Sequence, residues 1–513
     1  MAGIIKRMAN AFQVMVGSGP YFDAASRSRR LRGFIPTKTH INRAIQAEGQ
    51  TVLARSRSLY DNNSIYGAAV DEWVSAAVND GIKPVPRIKG FEAQKRALEN
   101  LWWQWVDEAD YEGVSDFYGM QATIAREVFL AGEVFVRLRP VPLDACSAVP
   151  LKLEIYPAEL LDVTYDGPAE IPGHHIRMGI EFNAFGDRIA YHFFRYHPYD
   201  IVPNGRLAEG MQERVRIEAP PISSILKRRQ AQQLRGTPKI TRSMVQLFQL
   251  AAYDDAELDR KKTTALFTAF ILGGESNPLT PDVQAERTMN TASLAGGEGD
   301  TIELAPGLVT VLENGQDIRF SAPAEVGGSY EPFQYRNLLK ICAGLNMPYS
   351  TVSGDVTRGN FSNVRTSIIQ FRRHIRQWRA NVMAFQLNRI VWKRFVEMAV
   401  LVGAIDLPDY DHNPLPWLQS ESHAAQLEMV DPLKDIAAEK EEIRAGLKSL
   451  TQALNERGYS RDDIYTEIEE ERSEALRRGL HFDTETPAPT TVLLDDDSND
   501  EDKQNALISE NAA

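Results

Sequence analysis

The residues best suited to chemistry fall into three groups. The first is an acidic quartet, Asp254, Asp255, Glu257 and Asp259, followed at once by Arg260, Lys261 and Lys262. Asp255 and Asp259 share a helix face, as two metal-binding carboxylates could. The adjacent cations favour an exposed charged helix instead, with Glu257 and Lys261 in the favourable i, i+4 order. The second is a basic arc. Arg365, Arg372, Arg376, Arg379 and Arg394 project to one side of a helical wheel, and no Asp or Glu occurs between Arg365 and Arg394. Such an arc can face phosphates or pair with acidic neighbours in an assembly. The third is a Gly-punctuated loop, Tyr349 to Asn363, whose small polar residues include Ser353, Gly354, Asp355, Gly359 and Asn360, with Arg358 as its cation.

Catalytic signatures are missing. The chain has no G-x-x-x-x-G-K-[ST], no G-x-G-x-x-G after a strand, no H-E-x-x-H and no G-x-S-x-G. His174 and His175 point to opposite faces of a strand and read as structural. Cys146 and Cys342 are the only cysteines, which excludes a disulfide framework or a cysteine zinc cluster and suits a reducing compartment. No enzymatic activity, cofactor or metal is expected.

The 513 residues carry 57 Lys and Arg against 70 Asp and Glu, a net charge of -13. That balance argues against a protein that coats nucleic acid by counterion release, though not against a local basic element. The most apolar run, Met398 to Ile405, is far shorter than the roughly 20 residues a spanning helix needs. The N-terminal residues lack a signal-peptide pattern. Synthesis in the cytosol, with no membrane segment, is expected.

The elements that position these groups follow from periodicity. Residues 1–44, with Arg27, Arg29, Arg30 and Arg32, read as an arm. Helical spacing runs over 40–80 with a break at Asn62–Asn63. It returns at Phe91–Val106, where Trp102, Trp103 and Trp105 read as core, and at 115–131. Strand patterns then dominate to about 226: Glu133–Arg139, Leu151–Tyr156, Ile176–Phe182, Arg188–Tyr196 and Ile222–Leu226. Thr237 suits an N-cap and Pro238 a first helical position, so a long helix is predicted over 237–270. Its polar middle belongs in solvent or against neighbouring chains. Residues 271–328 read as a small α/β insertion, with strand-like runs at Thr301–Leu304, Leu308–Leu312 and Ile318–Phe320. Helices are predicted at Tyr330–Leu345 and from Val364 to about Val402, the latter with Ile368, Phe371, Ile375, Trp378, Val382 and Phe385 in one arc. Further polar helices follow over 420–478, with a turn at Arg457-Gly-Tyr459. Beyond 480 the acidic run Asp495–Asp502 marks a disordered tail. The fold class is α+β.

Several stretches resemble the lambda-like portal proteins of tailed bacteriophages. They are Ser58-Leu-Tyr-Asp-Asn-Asn-Ser-Ile-Tyr-Gly-Ala-Ala-Val70, Gly236-Thr-Pro238 with Asp254-Asp-Ala-Glu-Leu258, and Gly344-Leu-Asn-Met-Pro-Tyr-Ser-Thr-Val-Ser-Gly-Asp355 with Asn360-Phe-Ser-Asn-Val-Arg365. A late block, Val430-Asp-Pro-Leu-Lys-Asp435 with Gly446-Leu-Lys-Ser-Leu450, completes the set. The likeness covers about residues 20–480.

The resemblance implies a homo-oligomeric ring, usually of twelve subunits, at one capsid vertex of a virion assembled in host cytoplasm. Double-stranded DNA would be packaged and ejected through it. Partners would be the terminase large subunit, a head-completion or adaptor protein and the major capsid protein, with the ATPase in the terminase. It implies a wing over 45–236, stem helices over 237–270 and 329–345, and a clip over 271–328. A tunnel loop would occupy 346–363, a long helix 364–403 and a crown 404–480, leaving 481–513 as tail. Ser353, Gly354, Asp355, Arg358, Gly359, Asn360, Arg365, Arg372 and Arg376 are then candidates to face DNA. Two rival readings remain: a nucleic-acid-processing enzyme gripping through Arg365–Arg394, and a monomeric scaffold.

Overall fold

The computed structural model describes residues 36–88, 90–146, 148–200, 213–266, 271–272, 311–312, 330–425 and 432–480. The expected arm before 36, the clip runs Thr301–Leu304 and Ile318–Phe320, and the acidic tail lie outside them. The chain divides into two compact units, Met1–Val430 and Asp431–Ala513. Among the described residues no helix is long and apolar enough to cross a membrane.

The first unit opens with α1 (Ile41–Asn62) and α2 (Ser64–Val78). Asn63 both ends one helix and starts the next. Its extended backbone stops α1, and its side-chain oxygen accepts from Tyr66 N at 3.0 Å. β1 (Ile82–Pro86) leads to α3 (Glu92–Val106) and α4 (Phe117–Leu130), the latter N-capped by Asp116. Trp102 and Trp105 of α3 are fully buried against Phe117 and form the predicted aromatic core, while Trp103 faces out.

β2 (Glu133–Pro140) lies centrally in an antiparallel sheet with β3 (Leu151–Pro157) and β9 (Ile222–Leu226), in the order β3-β2-β9. Its alternation explains its place. Val134 and Val136 join the helical core, while Phe135 joins a second core with Tyr191, Phe193 and Ile217. That second core is shared with a five-stranded antiparallel sheet made of β4 (Gly167–Pro168), β5 (His175–Arg177), β6 (Ile180–Phe182), β7 (Arg188–Phe194) and β8 (Arg214–Glu218). The run Ile176–Phe182, read as one strand, is a hairpin. Met178 and Gly179 take φ of 54° and 80°, and that two-residue turn folds β5 back onto β6. His174 and His192 both contact the buried Glu181, whereas exposed His175 stacks on Phe182.

The predicted helix start at Thr237–Pro238 is displaced. Pro238 is extended, a short 3₁₀ turn occupies Lys239–Arg242, and α5 begins at Met244 and is described to Leu266. The reason is backbone packing. A Cβ on Gly132 would lie 2.1 Å from Thr237 N, and one on Gly236 would lie 2.3 Å from the Gly132 carbonyl carbon. Arg235 Nε also donates to Glu133 Oε1 at 2.6 Å, and Gly236 N donates to Glu133 Oε2 at 2.8 Å. These contacts hold the segment against β2 before the chain is free to coil.

α6 (Tyr330–Leu345) runs antiparallel to α5, since Ser243 meets Ile341, Gln246 meets Asn337 and Tyr253 meets Phe333. Between these helices, β10 (Ile271–Leu272) and β11 (Val311–Leu312) pair in parallel. The short α7 (Tyr349–Ser353) precedes α8 (Phe361–Trp378), which continues through a π-helical stretch, Arg379–Asn388, into α9 (Arg389–Leu401). The predicted long helix is therefore present, but its register shifts. Phe371, Ile375, Trp378 and Val382 are buried as predicted, whereas Phe385 is exposed. A π turn holds an extra residue, which rotates Phe385 off the buried face and puts Met383 and Leu387 there instead.

The same stretch anchors two strand edges. Gln386 exchanges amide hydrogen bonds with the Leu226 backbone of β9 (2.8 and 3.1 Å), and Asn388 Nδ2 donates to Ile82 O of β1 at 2.8 Å. Residues 404–425, within the expected crown, pack into this unit. α10 (Leu415–Leu418) brings buried Trp417 to the core, and β12 (Ser420–Ala424) pairs with β1. The second unit contains α11 (Pro432–Arg444), α12 (Leu450–Glu456) and α13 (Arg461–Arg478). Glu439 joins α11 to the following segment through Lys448, 2.8 Å away, and Arg457.

Candidate nucleic-acid interface

The loop after α6 is held by its own polar side chains. Asn346, at φ 52°, ends the helix, and Gly354, at φ 69°, caps α7 in the left-handed conformation that glycine adopts without strain. Ser353 Oγ donates to Tyr349 O at 2.8 Å. Asp355 Oδ1 accepts from Thr357 N at 2.9 Å and Thr357 Oγ1 at 2.6 Å. The Thr357 hydroxyl and amide hold the Asp355 carboxyl below its ordinary pKa, so it stays charged. Gly359 lets the chain approach Val364, whose Cγ2 would lie 2.5 Å from an added Cβ. Asn360 N-caps α8 through Asn363 N at 2.8 Å. Arg358 pairs with Glu331 of α6 and lies over the Tyr335 ring at 4.6 Å. The loop cation is thus answered within the chain.

The arginines of the long helix do not form one stripe. Arg376 is exposed, and Arg365 and Arg372 are half-buried. Arg379 turns inward, donating to Ala77 O (2.9 Å), Ala76 O (3.0 Å) and Ala425 O (2.9 Å). It satisfies the C-terminal carbonyls of α2. Burial, with Arg376 nearby, pushes its pKa down to about 10. Arg394 reaches Glu397 of its own helix at 3.4 Å. The arc of arginines was legible; which of them turned inward depended on where α2 ended.

The acidic quartet is tied into the α5–α6 pair. Tyr330 donates its hydroxyl to Asp254 Oδ1 at 3.0 Å, and burial raises the Asp254 pKa. Glu257 is buried and binds Arg260 at 2.6 Å, with the predicted partner Lys261 farther away at 4.0 Å. Among the described residues no group of three or more His, Cys, Asp or Glu could hold a metal ion. The sequence reading missed a different feature of this pair. Val245, Phe248 and Leu258 of α5 and Phe333 of α6 are large apolar side chains left exposed. Val245 and Phe248, three residues apart on one helix, were the available signal.

This chain is similar to the probable portal protein of Halomonas phage phiHAP-1, at 25% identity over 414 residues, 79% of this chain and 71% of that protein. Two solved structures are also similar. One is the virion of a native gene transfer agent particle, with 16% identity, a TM-score of 0.40 and coverage of 79% of this chain and 90% of that one. The other is the neck of the native particle, computed with C12 symmetry, with 14% identity, a TM-score of 0.39 and coverage of 80% and 92%. The model of the lambda family of phage portal proteins matches residues 27–379, most of the length of the chain. The chain therefore belongs to the lambda family of phage portal proteins, a structural rather than an enzymatic family.

Proposed function

We propose that this chain forms a closed ring, of about twelve copies by the resemblance to its family, at one capsid vertex. Double-stranded DNA passes through its bore during packaging and ejection. The terminase large subunit and a head-completion protein dock on it in turn, and the major capsid protein surrounds it. The observation that carries this reading is the family match over residues 27–379. The outward apolar residues of α5 and α6 support assembly, since heterologous contacts that close at a fixed rotation would cover them. A chain of net charge -13, repeated around a ring, suits a bore that lets DNA slide rather than gripping it.

In this reading the α5–α6 pair is the stem, leading to the clip across β10 and β11, and residues 346–363 are the loop facing DNA. Arg358, held by Glu331, positions that loop, and Arg373 and Arg376 are exposed arginines on α8. The enzyme reading gains no support, because Asp254 and Glu257 are engaged by Tyr330 and Arg260.

Native mass spectrometry tests the assembly. A ring is expected at many times the 57.5 kDa of one chain, and a sample holding only monomers and dimers under assembly conditions refutes it. Deleting residues 354–359 tests the loop. Intact rings with impaired packaging or leaking DNA are expected, while normal packaging reduces the loop to a connector.

A further inference from the structure

A second basic cluster lies away from the loop. Lys227, Arg228 and Arg229 follow β9 directly. Lys239 and Arg242 come from the 3₁₀ turn before α5, and His374 comes from α8. All six line one crevice of about 160 Å³. No acidic side chain lines it, and among the described residues none of the six is paired with a carboxylate. Arg229 spends one donor on Pro238 O at 2.7 Å. The Lys239 ammonium has only aromatic faces, lying 4.8 Å from the Trp73 ring centroid and 4.7 Å from that of Phe129.

Lys239 is half-buried, while Lys227, Arg228, Arg229, Arg242 and His374 keep exposed surface. Burial lowers the pKa of Lys227, and burial with Arg242 nearby lowers that of Arg229. Burial, with Lys227 adjacent, holds Lys239 well below the ordinary lysine range. Here the remaining polar side chains of the lining are Thr237 and Asn346, so no carboxylate answers the cations, and an oxyanion would complement them. Arg242 and Arg228 bring forked donors, and an anion seated beside Lys239 would favour its protonated form. Since one water occupies about 30 Å³, the volume admits one phosphate group with a few waters.

We propose that this crevice binds a phosphate group, either free inorganic phosphate or a DNA backbone phosphate. The inference goes beyond the channel reading and does not require a ring. The test uses the full-length chain, unassembled and as rings, with sodium phosphate and sodium chloride compared at matched ionic strength by calorimetry. Phosphate is expected to bind saturably. Lys239→Met and the double variant Arg228→Gln/Arg242→Gln should each weaken binding by about tenfold or more. The double variant alters exposed side chains, so it keeps the test valid if Lys239→Met fails to fold.

A short duplex oligonucleotide separates the sources. If phosphate displaces the duplex and the double variant weakens both, the backbone is the source. If duplex binding ignores the variant while phosphate binding does not, the free ion is the source. Equal responses to phosphate and chloride overturn the proposal. So does undiminished phosphate binding in the double variant. Phosphate binding by unassembled chains that vanishes in the ring also overturns it, because a neighbouring subunit then fills the crevice. Mass measurement on the same samples reports ring formation separately.

Discussion

The β-rich lobe and the α5–α6 pair treat polar and apolar groups in opposite ways. In the lobe, charges are buried and answered within the chain. Glu133 and Arg235 lie 2.6 Å apart, each side chain 4% exposed, and Arg235 also reaches the carbonyls of Ala158, Leu161 and Met178. Glu181 is met by Arg216 at 2.7 Å and by His174 and His192 at 2.8 and 3.1 Å. In the helix pair, Val245, Phe248 and Leu258 face outward. The lobe answers its buried charges internally, whereas on the helix pair Val245, Phe248 and Leu258 form apolar surface that a second copy would cover.

The strongest test of that contrast is to break the lobe's buried pair. Replacing Arg235 with Met strands the Glu133 carboxylate and should cost about 3–5 kcal/mol, read from the urea unfolding midpoint. A smaller loss would mean that water reaches the pair and that the lobe is less self-contained.

Glu181 gives the next largest effect, with a definite pH signature. The Arg216 hydrogen bond, against the opposing effect of burial, holds its carboxyl pKa down to about 2. A group depressed on folding stabilises the protein above its unfolded pKa and loses that contribution as pH falls. The lobe should therefore weaken between about pH 4.5 and 2. Glu181→Gln should cost about 2–3 kcal/mol at pH 7 and flatten this part of the profile. Urea midpoints from pH 7 to pH 3 measure it.

The third test concerns the inner side of the helix pair. A Cβ on Gly344 would lie 1.9 Å from Ser243 Oγ. Gly344→Ala should displace the Ser243 hydroxyl from Ile341 O and cost about 1 kcal/mol by thermal unfolding. If it is neutral, the pair is loosely packed and a poor candidate for a rigid stem.

The smallest effect on the isolated chain is expected on the outer side. Phe248→Ser removes a side chain that is 59% exposed. Monomer stability should change by no more than about 0.5 kcal/mol, while the ring fraction in native mass spectra should fall. Unchanged assembly would place the subunit contact elsewhere.

Local grammar was legible wherever a residue acts on its immediate neighbours. Asn63 breaks α1 from α2 because its side chain satisfies the Tyr66 amide. The alternation in Glu133–Arg139 makes a strand that is buried on both faces. The tryptophans of α3 read as core, and Trp102 and Trp105 are buried, but Trp103, about 100° round the helix from Trp102, is exposed. Readings failed where a distant segment overruled the local signal. Thr237 and Pro238 carry a helix-start pattern, but Thr237 packs against Gly132 and the α-helix starts only at Met244. Phe385 fits the apolar arc of a regular helix, and the π stretch turns it to solvent.

The sequence by itself determined the order of elements, the mixed α and β composition, the family resemblance and the lack of catalytic motifs, because these depend on residue types and short spacings. Tertiary structure alone decided the role of each charge. Arg358 answers Glu331, and Arg379 closes α2, 302 positions before it in sequence from the Ala77 carbonyl. Lys227, Arg228, Arg229, Lys239, Arg242 and His374 come from three separate segments to line one crevice. An ionised side chain takes its role from whatever partner lies within a few ångströms. That partner is chosen by how helices and sheets pack, which short-range periodicity does not encode.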